Sequence, residues 1–171
     1  MLNQGKYAVE ILKRFRMMDC KSMSTSMMTN LKLFGDTTSG KIDATIYRQM
    51  IGSLIYLTNT RPDICFAVNT LSQYMVDPRQ VHLVEAKHIL RHLKGTIDYG
   101  LRYAADYEFR LVGYTDSDWA DSVTDWKSTS GCCFSLGSVV IAWHNRKKMS
   151  VALSTTEEKY IATCVASGEV V

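Results

Sequence analysis

No stretch of this 171-residue sequence approaches the roughly 18 consecutive apolar residues that a membrane-spanning helix takes. Its first residues, Met1-Leu2-Asn3-Gln4-Gly5-Lys6, lack the charged start and apolar core of a secretory signal, so an intracellular chain, in cytoplasm or nucleus and without membrane contact, is expected. The five cysteines are odd in number and show no paired spacing of a disulfide frame or a zinc site. Cys132 and Cys133 are adjacent and would point to opposite faces of a strand, which leaves reduced thiols as the expectation. A strong charge of one sign is also missing: the formal net charge is only +3, and binding to phosphate depends on a concentrated basic face rather than a slight excess. What the chain does have is 46% hydrophobic residues, enough to bury one sizeable core or two small ones.

The apolar residues change period along the chain. Tyr7, Ile11, Leu12, Phe15 and Met18 share one helical face, flanked by Lys13, Arg14 and Arg16. From Lys21 to Lys41 the sequence is rich in Ser, Thr, Met and Gly without periodicity, which predicts a connecting segment, mobile or laid over a surface, and a candidate boundary. Tyr47, Met50, Ile51, Leu54 and Thr58 predict a second helix, and Ile64, Ala67, Val68, Leu71, Tyr74 and Met75, after a Pro62 suited to a first turn, a third. A fourth runs from about Val81 to Lys94, with Leu83, Ala86, Ile89, Leu90 and Leu93 inward and Gly95 as a left-handed stop. From Ile97 the period becomes two: Tyr99, Leu101 and Tyr103, then Val112 and Tyr114, then Cys132, Phe134 and Leu136, then Val139, Ile141 and Trp143, with Gly137-Ser138 as a tight hairpin turn. Ser154 then opens a helix containing Tyr160, Ile161, Cys164 and Val165.

Two motifs carry chemistry. Gly113-Tyr114-Thr115-Asp116-Ser117-Asp118-Trp119-Ala120 ends an alternating strand in acids, and Leu153-Ser154-Thr155-Thr156-Glu157-Glu158-Lys159-Tyr160 places Glu157 in the first turn of a helix. With Lys6-Tyr7 to Phe15, Met18-Asp19-Cys20-Lys21, Tyr47-Arg48 to Leu57, Arg61-Pro62-Asp63-Ile64, His88 to Lys94-Gly95-Thr96 and Lys127-Ser128-Thr129-Ser130-Gly131, all in order, the chain resembles the polyprotein of copia-type retrotransposons over nearly its whole length.

That resemblance implies an α+β chain: residues 1–96 a helical segment similar to the region after the reverse-transcriptase core, and residues 97–171 a truncated ribonuclease H-like mixed sheet with one helix. In that family two magnesium ions held by four carboxylates hydrolyse the RNA of an RNA–DNA hybrid. Only Asp116 and Glu157 match family ligands, as metal-binding and catalytic remnants; the other two would lie beyond Val171, and the polymerase's paired aspartates before Met1. Lys159, Asp121 and Trp126 stand where the family usually carries an acid, a glycine and a basic residue. Weak Mg2+ binding and little or no nuclease activity are therefore expected, because magnesium needs octahedral oxygen coordination.

Each feature also has a plainer reading. Ser154-Thr155-Thr156-Glu157 is itself a capping box, and Asp116 suits a strand-end turn. Arg146, Lys147 and Lys148, next to Trp143 and His144, can contact phosphates, as can Arg14, Arg16 and Lys21, or can simply be solvated charge. His82, His88 and His92 lie on or near the fourth helix; His88 and His92 have a metal-binding spacing, but without a third ligand they read as surface histidines. Arg91-His92-Leu93-Lys94 is within one residue of the Arg-x-Leu-Arg motif of oomycete effectors, and similar fragments are catalogued as secreted effector-like proteins. This motif sits mid-helix, where Leu93 should be buried, yet the likeness keeps open a non-enzymatic protein, delivered into a plant cell without a recognisable signal, that binds a host protein and suppresses defence. An uncovered sheet edge and apolar helix faces would also allow self-association.

Overall fold

The expected first helix is α1 (Gly5–Arg14) in the computed structural model, which describes residues 1–28, 39–104, 110–118, 129–147 and 154–168. It buries Ala8, Ile11 and Leu12, with Tyr7, Phe15 and Met18 half-buried on the same core. At its end the Met17 N–H donates to the Leu12 carbonyl (2.8 Å) and the Arg16 N–H to that of Lys13 (3.1 Å). These paired bonds form a Schellman motif, which needs a left-handed residue at the position of Arg16, and its φ is 56°. An arginine adopts that conformation against its own Cβ, so Arg16→Gly is expected to raise stability by about 0.5–1 kcal/mol. The check is a higher denaturant midpoint at unchanged slope; a lower one would show that the arginine side chain contributes more than its backbone costs.

The second helix, α2 (Ala44–Leu57), starts where the Asp43 carboxylate accepts the Thr45 N–H at 2.7 Å. Tyr47, Met50, Ile51 and Leu54 are buried as their spacing predicts; Leu57 joins them, and Thr58 caps the helix instead of packing inside it. The Tyr47 hydroxyl stays satisfied by donating to the Leu71 carbonyl at 2.8 Å. Pro62 opens a 3-10 turn, Pro62–Ile64, that leads into α3 (Cys65–Ser72). The single predicted third helix is thus two pieces, with Tyr74 and Met75 beyond its end but still packed on the core.

Helix α4 (Gln80–Gly95) buries Ala86, Ile89, Leu90 and Leu93, while Leu83 is half-buried. Gly95 is not the expected left-handed stop: among the described glycines Gly137 has the positive φ, and Thr96 is the cap of α4. What Gly95 supplies is room, because a Cβ there would sit 3.0 Å from that of Ser22. The first part of the segment from Lys21 to Lys41 is laid over a surface, as one of its two readings had it, with Met23 and Thr25 bonded to α4, but it does not divide the chain, which stays one unit through Leu101. Residues 29–38 lie outside the described residues.

Leu2–Asn3 (β1) and Gly100–Leu101 (β2) pair antiparallel, so the strand expected at Tyr99–Tyr103 is two residues long. Leu101 is buried, but Tyr99 and Tyr103 are exposed, since β1 offers no longer partner. The chain divides into two units, Met1–Leu101 and Arg102–Val171. That division falls a few residues past the sequence-based boundary at Thr96, because β2 is tied back to β1.

In the second unit, β3 (Leu111–Asp118), β4 (Thr129–Leu136) and β5 (Val139–Lys147) form a sheet in that order. Each pairing is antiparallel, where a mixed sheet was expected; the described strands include no parallel neighbour. Gly137 takes φ 60° in the two-residue turn that sets Leu136 opposite Val139. Helix α5 (Thr155–Gly168) then packs against β3 and β4. Mixed α+β architecture is thereby established, with five helices and two small antiparallel sheets among the described residues. No described helix is long and apolar enough to cross a membrane.

Candidate functional site

Alternation along a strand decides which side chains can meet α5. Cys132 and Phe134 of β4 are buried and cluster with Ala166 of α5, and Ser130 Oγ lies 3.5 Å from Glu158 Oε1. The α5 face of the sheet therefore carries the rows Thr115–Cys132–His144 and Gly113–Phe134–Ala142. The alternate face carries Asp116–Gly131–Asn145 and Tyr114–Cys133–Trp143. Asp116 is thus exposed in a row turned away from the helix, and Tyr114 beside it is exposed as well.

Glu157 is exposed in the first turn of α5, and its backbone N–H donates to Ser154 Oγ at 3.1 Å, as one half of the capping box. Asp116 thus stands on β3, and Glu157 in the first turn of α5, the helix that packs on β3 and β4. The carboxylate that α5 buries is the next one, Glu158, only 1% exposed. Its stripe, Glu158, Ala162 and Ala166 at i, i+4 and i+8, is the one α5 turns inward, so Tyr160 and Val165 stay exposed. Small residues win that face because they allow the helix to lie close to the sheet.

A magnesium ion finds no ready-made cage here: among the described residues no group of three His, Cys, Asp or Glu side chains can hold a metal. Arg146 and Lys147 fall at the end of β5, in register with Ser130 and Thr129, whereas Lys148, Asp121 and Trp126 lie outside the described residues. All five cysteines are free thiols, and Cys132 Sγ sits 3.2 Å from Nδ1 of His144 across the strand pair.

The densest polar cluster belongs to the first unit, and periodicity had not marked it. Arg61, 2% exposed, donates to both Asp63 carboxylate oxygens (2.8 and 2.7 Å), to the Thr96 carbonyl (2.9 Å) and to its hydroxyl (2.6 Å). His92 Nε2 lies 3.1 Å from the same Asp63 carboxylate. Burial pushes the Asp63 carboxyl up, but hydrogen bonds and charge from Arg61 and His92 outweigh it and hold the group below its ordinary range.

The histidines expected at the surface are all buried. His82 Nδ1 accepts the Arg79 N–H at 3.0 Å to cap α4, and His88 and His92 face carbonyls of residues 23–25. Buried imidazoles need partners, and a segment distant in sequence supplies them. In Arg91-His92-Leu93-Lys94 both His92 and Leu93 are buried, so the motif is not displayed as a linear peptide.

Neither a family model nor a solved structure matches the chain. Curated proteins do. A Retrovirus-related Pol polyprotein from an Arabidopsis thaliana transposon is 39% identical over 98% of this chain and 12% of its own length. A Nicotiana tabacum counterpart is 36% identical over 99% of this chain and 13% of its length, so the chain spans about an eighth of these polyproteins. A secreted RxLR effector protein of Plasmopara viticola is 41% identical over 73% of this chain and 89% of its own. An uncharacterized mitochondrial protein of Arabidopsis thaliana is 38% identical over 98% of this chain and 70% of its own. With such likeness running through both units, the chain belongs to the family of sequences related to the Pol polyproteins of copia-type retrotransposons.

Proposed function

We propose that the chain is a transposon-derived piece of a reverse transcriptase and ribonuclease H polyprotein that binds nucleic acid, RNA–DNA hybrid above all, and is catalytically incomplete. The observation that carries this reading is the match of nearly the whole chain to Pol polyproteins. An antiparallel three-stranded meander followed by a helix on one face supports a ribonuclease H-like second unit, with Asp116 on its first strand. The excess of Lys and Arg over Asp and Glu lies in residues 1–101, while residues 102–171 carry more acids than bases. The first unit is therefore the better phosphate-binding body, with Lys13, Arg14 and Arg16 exposed at the end of α1, and Arg146, Lys147 and Lys148 are an auxiliary contact.

Asp116 and Glu157 are two carboxylates, and such a pair supplies too few oxygens for an octahedral magnesium ion. No hydrolytic step is assigned to them; Mg2+ is held weakly, mostly by its own waters. The proposed location is intracellular, where nucleic acid is found.

The test is a labelled RNA–DNA hybrid incubated with the purified chain and magnesium beside an Asp116→Asn variant. Hybrid retention that falls steeply with salt, no cleavage by either protein, and affinities within about twofold of each other are expected. Cleavage lost in the variant would overturn the incomplete reading, and salt-insensitive or absent binding would overturn the nucleic-acid one. A second reading, a secreted effector-like protein that engages a host-plant protein, is favoured by the Plasmopara viticola relative. It predicts an apolar interface, and such binding persists at high salt.

A further inference from the structure

Residues 17–26 cross α4 as a strap held mainly through its backbone. The Lys94 ammonium donates to the Met18 carbonyl, and the Met23 N–H donates to that of Arg91 at 3.3 Å. His88 Nε2 lies 3.0 Å from the Thr25 carbonyl, and Ser26 Oγ donates to that of Asp63 at 3.1 Å. Under the strap, His92 has Nδ1 3.2 Å from the Met23 carbonyl and Nε2 3.1 Å from the Asp63 carboxylate. Both of those partners are acceptors. A neutral imidazole has one N–H to give, so only the imidazolium donates to both.

We infer that the strap is a proton-gated clasp: protonated His92 pins Met23 to Asp63, and loss of that proton frees the strap from α4. Neutral His92 must leave either the carbonyl or the carboxylate without its donor, whereas neutral His88 keeps its single contact. The other charges around the clasp are Arg61, paired with Asp63; Lys94, bonded to the strap; Glu85, beside His88; and Arg91, Asp19 and Lys21, which are exposed. A charged carboxylate is a stronger acceptor than a carbonyl, so the single N–H of neutral His92 stays on Nε2 toward Asp63, and the Met23 carbonyl is the contact that gives way. Release would uncover Cys20 and Met18, which are half-buried on the core edge.

The test is hydrogen exchange at the Met23 amide in the intact chain, corrected for intrinsic rates, between about pH 5 and pH 8, the span over which histidine changes charge. Protection of Met23 is expected to fall about tenfold or more across that span, the worth of one charge-assisted hydrogen bond, while the Leu54 amide stays protected. His92→Gln is expected to give low, pH-independent protection, and His88→Gln to retain the wild-type profile. Flat protection in the wild type, or an equal fall at Leu54, would overturn the clasp. The wild type offers a second readout in case His92→Gln does not fold: imidazole nitrogen resonances should show both His92 nitrogens protonated at the acid end. A bare nitrogen there would also overturn it.

Discussion

Replacing Arg61 by alanine is expected to cost about 3–5 kcal/mol and to leave the first unit largely unfolded near 37 °C. The guanidinium is 2% exposed, and its four hydrogen bonds join the turn at Asp63 to the end of α4 at Thr96. Truncation strands the Thr96 carbonyl and removes the Asp63 counter-charge while His92 still faces that carboxylate. The variant should also respond differently to acid. A carboxyl held below its ordinary range stabilises the fold above its unfolded value, and that contribution disappears as pH falls through the lower folded value. Wild-type stability should therefore fall below the ordinary carboxylate range, with a shallower dependence in Arg61→Ala. Denaturant unfolding at several acid pH values would show this, and a change below about 1 kcal/mol would mean that solvent replaces the arginine at Thr96 and Asp63.

Leu54→Ala is expected to cost about 2–5 kcal/mol, because the removed side chain leaves a cavity that packed helices refill only in part. Leu54 is 0% exposed in α2, the helix that contacts α1, α3 and α4. The loss should appear as a lower midpoint for the first unit, with the second unit's transition unmoved, since the two divide at Leu101. A shift in both transitions would show the units to be thermodynamically coupled.

Helices were readable wherever one face was continuously apolar: Tyr47, Met50, Ile51 and Leu54 announced α2 because each turn adds another buried residue. Strand β4 was readable for a similar reason, since Cys132 and Phe134 alternate with outward neighbours. Tyr114 and Trp143, read as the apolar period of β3 and β5, lie in the row of Cys133 instead, and a register shift at Phe134/Ser135 breaks the expected alternation of Val139, Ile141 and Trp143. What periodicity misses is a partner from elsewhere in the chain. His88 and His92 had a metal-binding spacing but, without a third ligand, read as surface histidines, and only the arrival of residues 23–25, more than sixty positions away, buries them. The candidate site was legible as residues but not as geometry. Asp116 and Glu157 were each recognisable from their motifs, yet which sheet face meets α5 depends on Ala162 and Ala166, a stripe too small to stand out beside Tyr160, Ile161 and Val165. Arg61 was hidden most completely, because a buried arginine reads as surface until its carboxylate and carbonyl partners are known.

Leu2 and Asn3 lie opposite Leu101 and Gly100, so residues 1–101 begin and end at one spot. Cα atoms of paired antiparallel residues are only about 5 Å apart, and a segment with adjoining ends behaves as a cassette: it can be spliced into a surface loop of another protein without prying that loop open. The short β1–β2 clip makes the helical unit transplantable as a folded object.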